Sequence, residues 1–113
     1  MHRVRVETLA GTAVVSADGE LDAFAAPELE RAFRTASISD RVVADLGAVS
    51  FLDSTALGLV VRALREVGER GGDARVVLPR SSARRIFEIT TLDRALPLAA
   101  SCEVALAELA RTG

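Results

Sequence analysis

Residues 51–72 read FLDSTALGLVVRALREVGERGG, and their order of residue types decides the architecture. Phe51 and Leu52 lead into an acid and two hydroxyls, Asp53-Ser54-Thr55. Beyond them Leu57, Val60, Val61, Leu64 and Val67 fall on one stripe at helical spacing, with Arg62, Arg65, Glu66, Glu69 and Arg70 opposite. That is the pattern of a helix with one face in a core. Gly71-Gly72 ends it, as glycine does past a helix C-terminus. Asp53 or Ser54 can cap its start, because a side-chain oxygen there accepts from an amide with no intrahelical partner. A strand-side loop, a cap and an amphipathic helix in succession form half of a βα repeat.

The flanks extend the repeat. Residues 42–46, VVADL, are a short apolar run suited to a central strand. Upstream, Leu29, Ala32, Phe33 and Ala36 lie at i, i+3, i+4 and i+7, one helical face. Pro27 suits the first position of that helix, Glu28 and Glu30 favour its positive end, and Ser39-Asp40 ends it. Residues 3–7 alternate with period two and residues 13–17 form a second strand, joined by a turn at Gly11-Thr12. These two make an antiparallel hairpin, after which Gly19-Glu20-Leu21-Asp22 leads out of the sheet.

Downstream, residues 74–78 are a strand closed by Pro79, and Ser81 or Ser82 caps a helix reaching Thr90 that buries Ile86 and Ile89. Residues 96–98, with Pro97 unable to donate, read as a short edge strand. Ser101 caps a last helix with Ala105, Leu106 and Leu109 on its apolar face. The order is β-β-α-β-α-β-α-β-α. Strands alternating with helices imply parallel pairing through crossovers, so residues 1–113 are expected to form a single α/β domain with a mixed sheet.

Composition narrows the chemistry. The chain has 113 residues, 50% of them apolar and 27% charged, as in an ordinary globular protein. No apolar run reaches the roughly 20 residues needed to span a bilayer, and no signal-peptide core opens the sequence; the expected address is cytoplasmic, without membrane insertion. A formal charge of −2 argues against binding nucleic acid by phosphate neutralisation. All 14 cationic residues are Arg, so a lysine-bearing phosphate loop and Schiff-base chemistry are excluded. Cys102 is the single cysteine and His2 the single histidine, which leaves no disulfide, no thiol metal site and no serine triad. His2, near the chain end, is expected to be idle. No catalytic residue, cofactor or metal is expected, and the protein is not expected to be an enzyme.

Two uses remain for the Asp53-Ser54-Thr55 corner. It can be a cap alone. Alternatively, a hydroxyl at a helix N-terminus can be phosphorylated, since the phosphate would lie near free amides and the positive dipole end. Such a charge would change the surface facing a partner without unfolding the domain. Phe24, before the first helix, either staples against that helix or offers an apolar contact to another protein.

Gly19-Glu20-Leu21-Asp22, Ala26-Pro27, Asp45-Leu46, residues 49–55 (VSFLDST), Leu57-Gly58 and residues 85–90 (RIFEIT) together resemble the anti-sigma factor antagonists, bacterial members of the STAS domain group. Their order and spacing cover nearly the whole chain. The resemblance implies a small STAS-type domain that binds an anti-sigma factor, a serine kinase with a histidine-kinase-like ATPase fold. In the family the unphosphorylated antagonist captures that kinase and releases a sigma factor, and a phosphatase restores the active form. The serine after the motif's aspartate is the acceptor, here Ser54, with Thr55 as secondary candidate. By the same resemblance the partner surface comprises Asp22, Phe24, Asp53, Ser54, Thr55, Ala56, Leu57 and Gly58.

The chain departs from the family pattern at Ala56 and Thr91, where glycine is usual. Ala56 stiffens the helix start and could place a methyl in the kinase's way. The alternative is an accessory or scaffold STAS subunit, of a lipid-transport ATPase complex or a stress-signalling assembly, docking through the same corner without an obligatory phosphate cycle.

Overall fold

The computed structural model describes residues 1–79 and 98–111. Strands β1 (His2–Leu9) and β2 (Thr12–Leu21) form the expected hairpin, in unbroken register from His2↔Gly19 to Leu9↔Thr12. Their link has Ala10 at φ 51° and Gly11 at φ 85°. Two successive left-handed residues make a type I′ turn, whose twist matches that of the strands. Helix α1 (Ala26–Ala36) follows and buries Leu29, Ala32, Phe33 and Ala36, the four residues of the expected stripe. Then come β3 (Arg41–Leu52), α2 (Ser54–Glu69), β4 (Asp73–Val77) and α3 (Cys102–Ala110).

The sheet order is β1-β2-β3-β4, antiparallel at the first pair and parallel across β2, β3 and β4. Successive strand residues point to opposite faces, and both faces are apolar at the centre. Ala13, Val15, Val42, Ala44 and Val76 join the core under α1 and α2; Val14, Val43 and Val77 pack with Ala105 and Leu109 of α3 on the other side. Burial on both faces explains why residues 42–46 read as a nearly continuous apolar run. The mixed α/β domain is as expected, with an element order that follows the expected one only roughly.

Beyond β4, Leu98 forms a parallel bridge to Val76, and the Ala99 amide donates to the Val76 carbonyl at 2.9 Å. The rest of the expected edge strand and the expected helix over residues 81–90 lie outside the described residues, as does Thr91. At the end of α2 the amide of Gly72 donates to Val67 O at 2.9 Å and that of Gly71 to Gly68 O at 3.1 Å. With Gly71 at φ 87°, this is the Schellman arrangement.

Several expectations need correcting. β3 does not stop at Leu46 but continues to Leu52. Its register against β2 slips between Ser16 and Asp18 and again between Gly19 and Glu20, so two residues of β3 bulge out and the alternation loses phase. Gly19, Glu20 and Leu21 stay in β2 instead of leaving the sheet. Gly19 sits at φ 81°, where a Cβ would run into the Met1 carbonyl. α1 ends at Ala36, before Ser39-Asp40, with the Ser37 hydroxyl donating to Arg34 O at 2.6 Å. His2 is not idle: it pairs within β1, and its Nε2 lies 2.8 Å from Glu28 Oε2 on α1.

Candidate functional site

The parallel pairing brings the C-terminal ends of β2 and β3 side by side, with Leu21 opposite Leu52. Each strand then turns into a helix, so two loops share one end of the sheet. They are tied together where the Asp53 amide donates to the Leu21 carbonyl at 3.0 Å. In an open α/β sheet this end is where binding groups collect, since the loops there are free of ladder hydrogen bonds.

Asp53 has extended backbone, φ −86° and ψ 173°, and its Oδ1 accepts from the Ala56 amide at 2.9 Å. Of the two possible caps, the aspartate is therefore the one used. Its carbonyl accepts from the Leu57 amide at 2.9 Å, the first bond of the helix ladder. Ser54 becomes the first helical residue, and it and Thr55 are exposed. Their amides are among those that a helix start leaves without intrahelical acceptors. No acid occupies the first turn of α2, so only the Asp53 cap offsets the positive dipole end.

On the neighbouring loop, Asp22 Oδ1 accepts from the amides of Phe24 and Ala25 at 3.0 and 3.2 Å, and the Ala25 amide also reaches the Asp22 carbonyl at 3.0 Å. This aspartate turn organises the entry to α1, whose own cap residue, Ala25, has no side-chain acceptor to offer. Phe24 is held at the tip with 88% of its surface exposed. The staple is thereby ruled out: the ring does not pack on α1.

The structure brings together most of the candidate residues and removes one from the surface. Phe24, Ser54, Thr55 and Gly58 are exposed, while Asp22, Asp53 and Leu57 are half-buried. Ala56 is fully buried at 0%, because the cap bond turns the third helical residue toward the sheet. Its methyl faces the core, contrary to the expectation that it could obstruct a kinase. The sequence reading missed Phe51, which is paired with Glu20 near the end of β3 and 52% exposed. Phe51 keeps the facing of Val43 and Asp45, because the two slips cancel in phase by the end of β3, but the sequence reading ended the strand at Leu46 and gave Phe51 no face.

A hydroxyl, two hydrogen-bonded carboxylates and exposed aromatic surface can present an acceptor to another protein's active site. Neither carboxylate is in an ion pair among the described residues, where the side-chain pairs are His2–Glu28, Glu30–Arg34 and Arg75 with Asp73 and Glu108. The described residues contain no cluster of three or more His, Cys, Asp or Glu placed to hold a metal. None of their helices is long and apolar enough to cross a membrane. A groove of about 320 Å3 between α1 and α2, lined by Phe33, Arg34, Leu59, Arg62, Glu66 and Arg70 among others, shares no residue with this corner.

Fold and site define a class: a small α/β domain that displays a capped helix start and an adjoining aromatic loop at the C-terminal end of a mixed sheet. A family model described as STAS domain matches residues 3–105, and the chain belongs to that family. It is 38% identical over 78 residues to an anti-sigma-B factor antagonist of Listeria monocytogenes, covering 66% of this chain and 67% of the relative. The crystal structure of an anti-sigma factor antagonist from Mycobacterium paratuberculosis matches with TM-score 0.88 at 32% identity, over 97% of this chain and 95% of that one. The Bacillus cell-fate determinant SpoIIAA in its phosphorylated form matches with TM-score 0.74 at 24% identity, over 94% of this chain and 98% of that one, a likeness of fold.

Proposed function

We propose that this protein is an anti-sigma factor antagonist whose docking surface is the Asp22–Asp53 corner, and that phosphorylation of Ser54 switches it. The observation that carries this is the exposure of Ser54 directly after the capping Asp53, on the loop bonded to the one that displays Phe24. The names of the relatives at 38% and 32% identity support the role.

The unmodified form binds an anti-sigma factor that is a serine kinase, freeing a sigma factor. In the modifying step Ser54 Oγ forms a bond to the γ-phosphorus of ATP held by the partner. The bond to ADP breaks, and the hydroxyl proton passes to a base of the partner. The product gains roughly −1.5 to −2 of charge at a helix end that tolerates anions. The domain stays folded while the docking surface gains negative charge. A phosphatase reverses the step, and the protein acts as ligand and substrate, not as catalyst. Since the Ala56 methyl lies in the core, no specific observation favours an accessory subunit without a phosphate cycle.

Incubation with the cognate kinase and ATP should add one phosphate, mapped by mass spectrometry to Ser54 and lost in Ser54→Ala. Phosphate found only at another residue contradicts the assignment.

A further inference from the structure

β1 is an edge strand of eight residues whose register with β2 runs from end to end without a bulge. It contains neither proline nor lysine, two of the usual means of blunting an edge. Among the described residues nothing pairs with its outer side, whereas the far edge of β4 is met by Leu98.

The hairpin fixes which groups that edge offers. Leu9 and Thr12 flank a two-residue turn, so they exchange hydrogen bonds, and the pattern alternates from there. Leu9, Glu7, Arg5 and Arg3 therefore turn their backbone groups toward β2, while Thr8, Val6, Val4 and His2 turn theirs outward. Side chains alternate as well. Arg3, Arg5 and Glu7 stand exposed on one face, and Val4 and Val6 lie half-buried against the core on the other.

We propose that β1 pairs antiparallel with β1 of a second copy of this chain, in the register that sets Arg5 of each copy opposite Glu7 of the other. That register puts Val6 opposite Val6 and Val4 opposite Thr8, so the outward donors and acceptors of Val4, Val6 and Thr8 all meet outward partners, while His2 falls opposite the turn residue Ala10. Arg5 and Glu7 then occupy the closer, non-hydrogen-bonded sites, where opposite charges attract most across strands. Neither is in an ion pair among the described residues. The next permitted register sets Arg3 opposite Glu7 but places Arg5 against Arg5, a like-charge clash at the centre.

The contact is isologous and closes as a two-fold dimer, joining two four-stranded sheets into one. It goes beyond the proposed switching role and is independent of it, since Ser54 follows β3, two strands in from the edge. The dimer leaves both corners uncovered.

Sedimentation of the full chain from about 1 µM to about 1 mM, a span suited to a small interface, tests the proposal. The wild type should pass reversibly from monomer to dimer, more weakly at high salt. Arg5→Glu and Glu7→Arg singly should each raise the dimer Kd roughly tenfold or more, with unchanged circular dichroism. The double reversal should restore it, because the pair is regenerated with its signs exchanged. In the competing register the double reversal sets Arg3 against arginine and glutamate against glutamate, so absence of rescue overturns the register proposed. A wild type that stays monomeric throughout, or a dimer indifferent to both single reversals, overturns the pairing itself.

Discussion

The amide of Asp53 donates to the carbonyl of Leu21 at 3.0 Å, joining the loop before α2 to the end of the strand before α1. Through this bond the Phe24 tip and the Ser54 hydroxyl sit on one rigid end of the sheet. Asp53 thus serves twice, through its amide across the loops and through its carboxylate at the helix start.

Removing the carboxylate isolates the second role. Asp53→Ala should cost about 1 kcal/mol of stability, the usual size of a lost cap. The urea midpoint should fall accordingly, while Asp53→Asn, an equally good cap, should hold it. Equal losses in both variants would show that charge, not capping, is what the helix start needs.

Phe24 and Gly58 separate docking from folding. With 88% of its surface exposed, Phe24→Ala should leave the melting temperature nearly unchanged and weaken capture of the anti-sigma factor. Gly58 lies in α2, and a methyl added to its Cα would meet nothing within 4 Å. Gly58→Ala should stabilise the domain by roughly 0.8–1 kcal/mol, the helix-propensity gain, and weaken capture if the partner packs closely there. Calorimetric titration beside thermal melts reads both quantities.

Much of this was legible in the sequence because it rests on periodicity and caps. The buried stripe of α1 emerged complete, as did the Ser101 cap of α3, whose hydroxyl accepts from the Val104 amide at 3.1 Å. On α2 the stripe held at Val60, Val61, Leu64 and Val67, whereas Leu57 is only half-buried and Ala56 and Leu59 are buried as well. The choice between Asp53 and Ser54 as cap depends on one backbone conformation, which spacing does not encode. The length of β3 was hidden for a different reason: bulges break the period-two pattern by which strands are recognised. Phe51 was missed as exposed surface because the strand was expected to end at Leu46, which left it without a face. His2 was misjudged because its partner, Glu28, is distant in sequence and close only once α1 packs over β1.

The hairpin turn stores strain that can be relieved. Ala10 holds φ 51°, a left-handed conformation that costs a residue with a Cβ about 1 kcal/mol or more. Asparagine tolerates it and precedes glycine in many type I′ turns. Ala10→Asn should therefore raise the melting temperature by about 4 °C, as read by scanning calorimetry.

Burial raises the Cys102 thiol above its ordinary value of 9.0, and the charges of Asp45, Glu7 and Glu103 push the same way. The folded protein keeps this proton to higher pH than the unfolded chain. The group's contribution to stability is complete below the unfolded value and is lost as pH rises through the folded one. Stability should thus fall with pH above about 9.0 more steeply in the wild type than in Cys102→Ala. At pH 8 the native thiol should react with a disulfide reagent more slowly than the same thiol in urea.

The central claim is that a charge placed on Ser54 changes who can dock while the domain stays folded. Calorimetric titration of the anti-sigma factor with unmodified and Ser54-phosphorylated protein tests it most directly, the fold of both forms being followed by amide NMR. The account predicts native spectra for both and an affinity weaker by on the order of tenfold or more for the phosphorylated form. Equal affinities, or a phosphorylated protein that has lost its native spectrum, would contradict it.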